Sequence, residues 1–219
     1  VHQTTYGMSE RLLGATVATH GDDKGLIMPP SIAPIQVVVV PILSKEGSDE
    51  IISAAHEIVR KLKAEKIRVK LDDRDIRPGQ KYYDWEIKGV PLRIELGPRD
   101  LKSNSFMCAA RAGNKSSYSM DDLLPSVKEE LNLVNNYMKE KAKEHFNQHI
   151  KKMPNLKIHG STISLEEELE EGYVYEMAFD GNDAEAEAIE KGTGFSFLGV
   201  STNAYSEERE CIISGRLTN

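Results

Sequence analysis

Ile35-Gln36-Val37-Val38-Val39-Val40-Pro41 is the stretch that decides the fold. Its β-branched residues run without polar alternation, the pattern of a strand covered on both faces. The period then changes. Ile51, Ile52, Ala55, Ile58, Val59 and Leu62 recur at helical spacing between residues 48 and 65, with Ser48 placed as an N-cap. Arg68-Val69-Lys70-Leu71-Asp72 is the next short strand. Strand, helix and strand in this order predict a right-handed crossover and a parallel pair. Pro78 opens a second helix reaching Glu86, and residues 92–96 and 105–110 read as two further strands. Residues 35–120 are therefore expected to form an α/β domain on a small mixed sheet, of ordinary domain size.

Working outward, residues 9–19 carry Leu12, Leu13, Ala15 and Val17 and read as a helix. His20-Gly21-Asp22-Asp23-Lys24-Gly25 is turn chemistry. Met28-Pro29-Pro30-Ser31-Ile32-Ala33-Pro34 is a stiff linker, because proline fixes its own φ and biases its predecessor away from helix. Residues 1–34 are thus set apart from the sheet domain. Downstream, a long helix is predicted from Asp121 or Asp122 to about Lys152, ended by Pro154. Its apolar stripe is Leu123, Leu124, Val127, Leu131, Val134, Met138 and Phe146. Residues 121–154 form this connecting segment. Residues 155–219 read as a second small α/β domain packed on Tyr173, Tyr175, Phe195 and Leu198.

Composition narrows the function. Hydrophobic residues are 39% and charged residues 29% of 219, enough for a core. No apolar run approaches the ~18 residues of a membrane span. Two cysteines, Cys108 and Cys211, argue against a disulfide scaffold and fit a reducing cytosol. Aromatics are 6%, too few to stack many bases, and a net charge of −7 disfavours non-specific binding to nucleic-acid backbone unless cations are concentrated locally. They are: residues 66–102 hold ten Lys and Arg against seven Asp and Glu. Residues 166–190 hold eleven acids and no Lys or Arg, a surface that repels phosphate. The chain opens on Val1 and closes on Glu-Cys-Ile-Ile-Ser-Gly-Arg-Leu-Thr-Asn, an unfinished strand or knuckle, so a fragment of a longer protein is expected.

Gly7-Met8-Ser9-Glu10-Arg11 sets a glycine turn and an arginine before a helix. A guanidinium can lie against a purine while staying charged. Taken alone, the pentapeptide is weak evidence, and on composition a turn with an exposed arginine is the better reading.

The wider pattern separates these readings. Gln3-Thr-Thr-Tyr-Gly-Met-Ser-Glu-Arg11, Gly14-Ala15, His20-Gly-Asp-Asp-Lys-Gly-Leu26, Pro29-Pro30 and Ala33-Pro-Ile-Gln-Val-Val-Val-Val-Pro41 resemble motif 3 of prolyl-tRNA synthetase and the entry into its anticodon-binding domain. A second block agrees: Asp72-Asp-Arg-Asp75, Pro78-Gly79, Lys81, Trp85-Glu86, Lys88-Gly-Val-Pro91, Arg93-Ile-Glu95 and Gly97-Pro-Arg-Asp100. The extension beyond residue 121 resembles the archaeal and eukaryotic form of this class II family. The resemblance spans essentially the whole chain and thins after Pro154.

That resemblance implies proline–tRNA ligation: ATP with Mg2+ and proline form an adenylate, and proline passes to tRNA(Pro). It implies that Arg11 is the catalytic motif 3 arginine and that Ser9 and Arg11 bind ATP. Tyr6 stands where many members have Trp. Motifs 1 and 2 and most of the proline pocket are expected before Val1, so the chain alone is expected not to activate proline. The resemblance further implies a cytoplasmic homodimeric parent enzyme. Glu86, Arg93, Arg99 and Asp100 are the implied anticodon-binding residues. Their chemistry suits the two adjacent guanines of a proline anticodon: a carboxylate accepts from N1–H and N2–H₂, and a cation donates to O6 and N7. A surface ion pair is the competing reading of Glu86 and Arg93. Trp85 reads as core or hinge packing.

Archaeal-type members often hold zinc with four cysteines. The matching positions here are Asp180, Glu185, Cys211 and Ser214, a donor set unlike structural zinc sites, which favour Cys and His. His159 could add a ligand, but a lone surface histidine is much commoner, so no metal site is expected and the tail reads as a zinc-free descendant. A tRNA- or protein-binding module without catalysis, and a related synthetase charging His, Thr or Gly, are the competing functions. Intact Ser9 and Arg11 oppose the first. The block from Trp85 to Asp100 and that from His20 to Lys24 oppose the second.

Overall fold

The computed structural model describes residues 2–43, 48–159, 162–200 and 208–218, with the side chains of Ile158, His159 and Thr162 outside that description. Two compact units divide the chain, residues 1–143 and residues 144–219. A single helix, α5 (Leu123–Gln148), runs through the division.

In the first unit, helix α1 (Arg11–His20) precedes strand β1 (Val37–Pro41), helix α2 (Ser48–Ala64) and strand β2 (Val69–Leu71). Helix α3 (Pro78–Ile87), strand β3 (Leu92–Leu96), helix α4 (Pro98–Lys102) and strands β4 (Ser105–Ala110) and β5 (Lys115–Ser119) follow. The five strands order as β2-β1-β3-β4-β5. β1 pairs parallel with β2 and β3, whereas β3–β4 and β4–β5 are antiparallel. The predicted mixed sheet and the parallel β1–β2 pair are therefore present.

Every residue of β1 is buried, as its unbroken valine run requires. Val37 and Val39 enter a core with Ile51, Ala55, Ile58 and Leu62 of α2, Leu92 and Ile94 of β3, and Val127 of α5. Val38 and Val40 face the other way, onto Trp85 and Val90. Alternation of side chains across the pleat thus splits one valine run between two layers. Pro78 and Pro98 sit at the starts of α3 and α4, where a missing N–H loses no helical bond.

Several sequence expectations shift. The long helix stops at Gln148, and residues 150–152 form β6 (Ile150–Lys152), paired parallel with β9 (Val174–Glu176). Phe146 leaves the expected stripe, at 59% exposure, while Leu123, Val127, Leu131, Val134 and Met138 are buried. β5 carries lysine, serines and one tyrosine; its pairing with β4 places it, where its sequence showed no apolar alternation.

In the second unit, β7 (Leu156–His159) and β8 (Thr162–Leu165) pair antiparallel. Helix α6 (Asp183–Thr193) begins at a capping box made by Asn182 and Glu185. β10 (Arg209–Glu210) and β11 (Leu217–Thr218) close a knuckle around Cys211. Tyr175 meets Phe195 edge-on at 5.7 Å, but Leu198 is exposed and contributes nothing to this packing. Among the described residues, no helix is long and apolar enough to cross a membrane.

Candidate nucleic-acid interface

Strand register builds a polar row on the sheet face opposite α2. Lys70 and Arg93 both pair with Val38, Arg93 also pairs with Ala109, and Ala109 pairs with Lys115. These positions share one face across all five strands. Small Ala109 leaves the face open between the Arg93 and Lys115 side chains. Two residues further along β3, Glu95 points the same way and is almost fully buried. It accepts from Arg93 Nε at 3.1 Å and from Lys115 Nζ. A buried carboxylate is tolerable here because cations meet it from two sides.

Helix α3 contributes the other wall. Glu86, near its C-terminus, accepts from Arg93 Nη1 at 3.2 Å. Tyr82, one turn earlier, lies under the Arg93 guanidinium at 4.0 Å. Burial pushes the Tyr82 hydroxyl up to about 12, and the nearby Glu95 carboxylate adds to the shift. Arg93 is thus clamped by a ring and two carboxylates, with a side chain only 14% exposed. Glu86 and Glu95 engage two of its five N–H donors. The rest can address a ligand in a fixed orientation.

The remaining predicted residues lie at the far end of β3. Asp100 Oδ2 accepts from Gly97 N at 2.9 Å and so caps α4, which holds the loop but occupies one oxygen. Arg99, on the same short helix, is exposed. The charge of Asp100 also reaches Tyr82, more weakly than those of Glu95 and Arg93. Tyr82, Glu95 and Lys115 were missed by sequence reasoning. The available signals were the i, i+4 relation of Tyr82 to Glu86 and the i, i+2 relation of Arg93 to Glu95.

Trp85 is a packing residue, 5% exposed. Its indole donates to Asp72 at 2.7 Å, and Lys88 sits over the ring at 4.7 Å. Burial works against ionisation of Asp72, yet hydrogen bonds from Arg74 and Trp85 win and hold its carboxyl at about 2.

Arg11 opens α1, and Ser9 precedes that helix. Ser9 Oγ accepts from Arg11 N at 3.3 Å, a local bond at the start of α1, while Glu10 occupies the cap position by backbone geometry. Both side chains are exposed, and α1 buries no residue.

In the tail, three of the four positions matched to zinc ligands do meet. The Cys211 thiol accepts from Asp180 N at 3.3 Å, and Ser214 Oγ donates to Asp180 Oδ1 at 2.8 Å. Side-chain hydrogen bonds from the Cys211 thiol and the Ser214 hydroxyl hold the Asp180 carboxyl below its usual range. Glu185 instead accepts from Asn182 N at 2.9 Å, as part of the α6 cap. One thiol, one carboxylate and one hydroxyl already bonded among themselves do not fit a structural zinc ion. Among the described residues, no group of three His, Cys, Asp or Glu side chains could hold a metal. The side chain of His159 lies outside the described residues.

Residues 36–130 match the anticodon binding domain family. They form an anticodon-binding domain of the kind found in class II aminoacyl-tRNA synthetases, with Arg93 on its sheet face and Glu86 on the helix beside it. The chain is 41% identical to proline–tRNA ligase of Methanocorpusculum labreanum over 98% of its own length and 44% of that protein. It is 49% identical to the Thermococcus kodakarensis proline–tRNA ligase over 70% of this chain and 32% of that one. A crystal structure of prolyl-tRNA synthetase from Cryptosporidium parvum, complexed with L-proline and AMP, superposes with a TM-score of 0.64 at 37% identity, covering 66% of this chain and 32% of that one. Over nearly its full length the chain is similar to proline–tRNA ligases. It spans less than half the length of the curated relatives it matches.

Proposed function

We propose that this chain is the portion of a proline–tRNA ligase that reads the tRNA(Pro) anticodon and completes the ATP site. The reading is carried by one observation: Glu86 and Arg93, an acid and a base of the types guanine needs, meet on a locally basic sheet face with Arg93 held rigid. An anticodon loop presents unstacked bases whose edges are open to such side chains. Glu86 accepts from the N1/N2 edge of one guanine, and the free donors of Arg93 reach O6 or N7. Arg99 and Asp100 serve the second guanine, and Lys115 attracts the loop backbone.

In the ligase, ATP arrives with Mg2+, the proline carboxylate attacks the α-phosphorus, and pyrophosphate leaves as the adenylate forms. The tRNA then takes the prolyl group and AMP leaves. Arg11, aided by Ser9, positions the nucleotide and offsets developing negative charge. The open apolar residues Tyr6, Met8, Leu12 and Leu13 support a neighbour for α1 in the larger protein. The active enzyme is a cytoplasmic homodimer, and its tail keeps the knuckle folded without zinc. In the full-length ligase, Arg11→Ala should raise the ATP requirement or cut proline-dependent ATP–pyrophosphate exchange, leaving affinity for an anticodon stem-loop unchanged. A full-length protein that binds the stem-loop yet never activates proline would instead be a tRNA-binding module.

A further inference from the structure

Beside Glu86 and Arg93, a second arginine joins segments far apart in sequence. Arg111 follows β4, and its side chain is 4% exposed. Its Nε donates to the Glu86 carbonyl at 3.2 Å. Its Nη1 and Nη2 reach both carboxylate oxygens of Asp22, the first at 2.9 Å, and Nη2 also reaches the Gly25 carbonyl at 3.3 Å. Bidentate pairing of this kind fixes direction as well as distance.

The segment held by Arg111 is the turn that follows α1. Asp22 and Gly25 exchange backbone hydrogen bonds at 3.0 Å, and Asp22 Oδ1 accepts from Lys24 N at 2.9 Å. Beyond the turn, Leu26 N donates to Ile87 O and Met28 N to Gly89 O, both at 3.1 Å. The two backbones approach closely because both contact points are glycine. A Cβ on Gly25 would stand 2.6 Å from Ile87 Cα, and one on Gly89 would stand 2.6 Å from Leu26 Cβ. Both glycines have positive φ, at 126° and 69°.

Glu86 therefore touches both arginines. Its carboxylate meets Arg93 on the reading face, and its carbonyl meets Arg111 on the latch. A small cavity beside it is lined by Trp85, Glu86, Arg93 and Arg111. Ile87, whose carbonyl receives Leu26, is the next residue in the chain.

We infer that Arg111 and Asp22 are positioning residues that transmit occupancy of the Glu86–Arg93 pair to residues 22–28, and so to the segment leading from the nucleotide helix. The inference rests on the anticodon reading proposed above. A guanine bound to Glu86 orders the end of α3, and the hydrogen bonds of Leu26 and Met28 open less often. Asp22→Asn isolates the device: its oxygen still accepts from Lys24 N, while the bidentate charged pair with Arg111 is lost.

Hydrogen exchange at the Leu26 and Met28 amides tests this in the 219-residue chain, with an RNA anticodon stem-loop carrying the two guanines and a control carrying adenines. The guanine stem-loop should slow exchange at both amides roughly fivefold or more, the lower range of ordinary site-to-site coupling. Asp22→Asn should bind the stem-loop with unchanged affinity and lose that slowing. Arg111→Gln should lose it too, and unfolding of that variant leaves Asp22→Asn as the deciding one. Tight, guanine-dependent binding with no change at Leu26 and Met28, or a change that survives Asp22→Asn, overturns the latch. Equal binding of guanine and adenine stem-loops overturns the anticodon reading itself.

Discussion

Arg93 Nη1 donates to the Glu86 carboxylate at 3.2 Å, joining β3 to the last turn of α3. The ion-pair and base-reading interpretations of these residues meet in this bond. A partly exposed pair contributes little stability of its own, but it holds both groups where a base edge can exchange for their mutual contact. Arg93 also compensates buried Glu95. Arg93→Ala therefore removes one of the two cations facing that carboxylate, and lost reading mixes with lost stability.

Arg99→Ala is the cleaner cation deletion. Its side chain is exposed, so urea unfolding should change by less than about 0.5 kcal/mol. Charging of tRNA(Pro) by the full-length ligase should still fall, by up to roughly a hundredfold for a direct base contact. Unchanged charging efficiency would remove Arg99 from the reading set.

Acid sensitivity should centre on Asp72. Its folded carboxyl titrates at about 2 against an ordinary value of 3.8. The lowered folded pKa means that its stabilisation is complete above the ordinary value and disappears as pH falls through about 2. The shift corresponds to roughly 2 kcal/mol. Urea unfolding of the chain and of Asp72→Asn should differ by about that much near neutrality and converge in strong acid. A gap independent of pH would contradict the assignment.

The sheet was legible in sequence because β1 and α2 carry opposite periodicities in unbroken runs. β5 was not, since Lys115, Ser116, Ser117 and Ser119 have no apolar rhythm and only cross-strand pairing places them. The same limit applies to the site. Glu86 and Arg93 were found through a family motif, whereas Lys115 joins Arg93 by register across β4, and Arg111 reaches Asp22 across 89 residues. Neither relation leaves a local sequence mark. Tyr82 and Glu95 did leave one, at helix and strand spacing from residues already chosen.

Glycine substitutions should separate the two environments near α1. Gly25→Ala meets the Ile87 backbone at a positive φ and should destabilise by more than about 1 kcal/mol. Gly14→Ala, inside α1 with nothing within 4 Å, should instead raise helix content and stabilise by up to about 1 kcal/mol. Urea unfolding and far-ultraviolet circular dichroism check both, and equal effects would contradict the close approach at Gly25.

The tail should fold without zinc. Metal analysis of protein purified without chelator should find almost none, and Cys211→Ser should leave the content unchanged. Near-stoichiometric zinc lost in that variant would show that other ligands complete the site.

The most direct test of the central claim is a double-mutant cycle on anticodon stem-loop affinity. It compares the chain with Glu86→Gln and guanine with inosine, which lacks the N2 amino group, at the base Glu86 reads. Direct reading predicts a coupling of about 1 kcal/mol or more between the two changes, with inosine penalised strongly only when the carboxylate is present. Penalties that simply add, at each guanine position tried, would contradict base reading by Glu86.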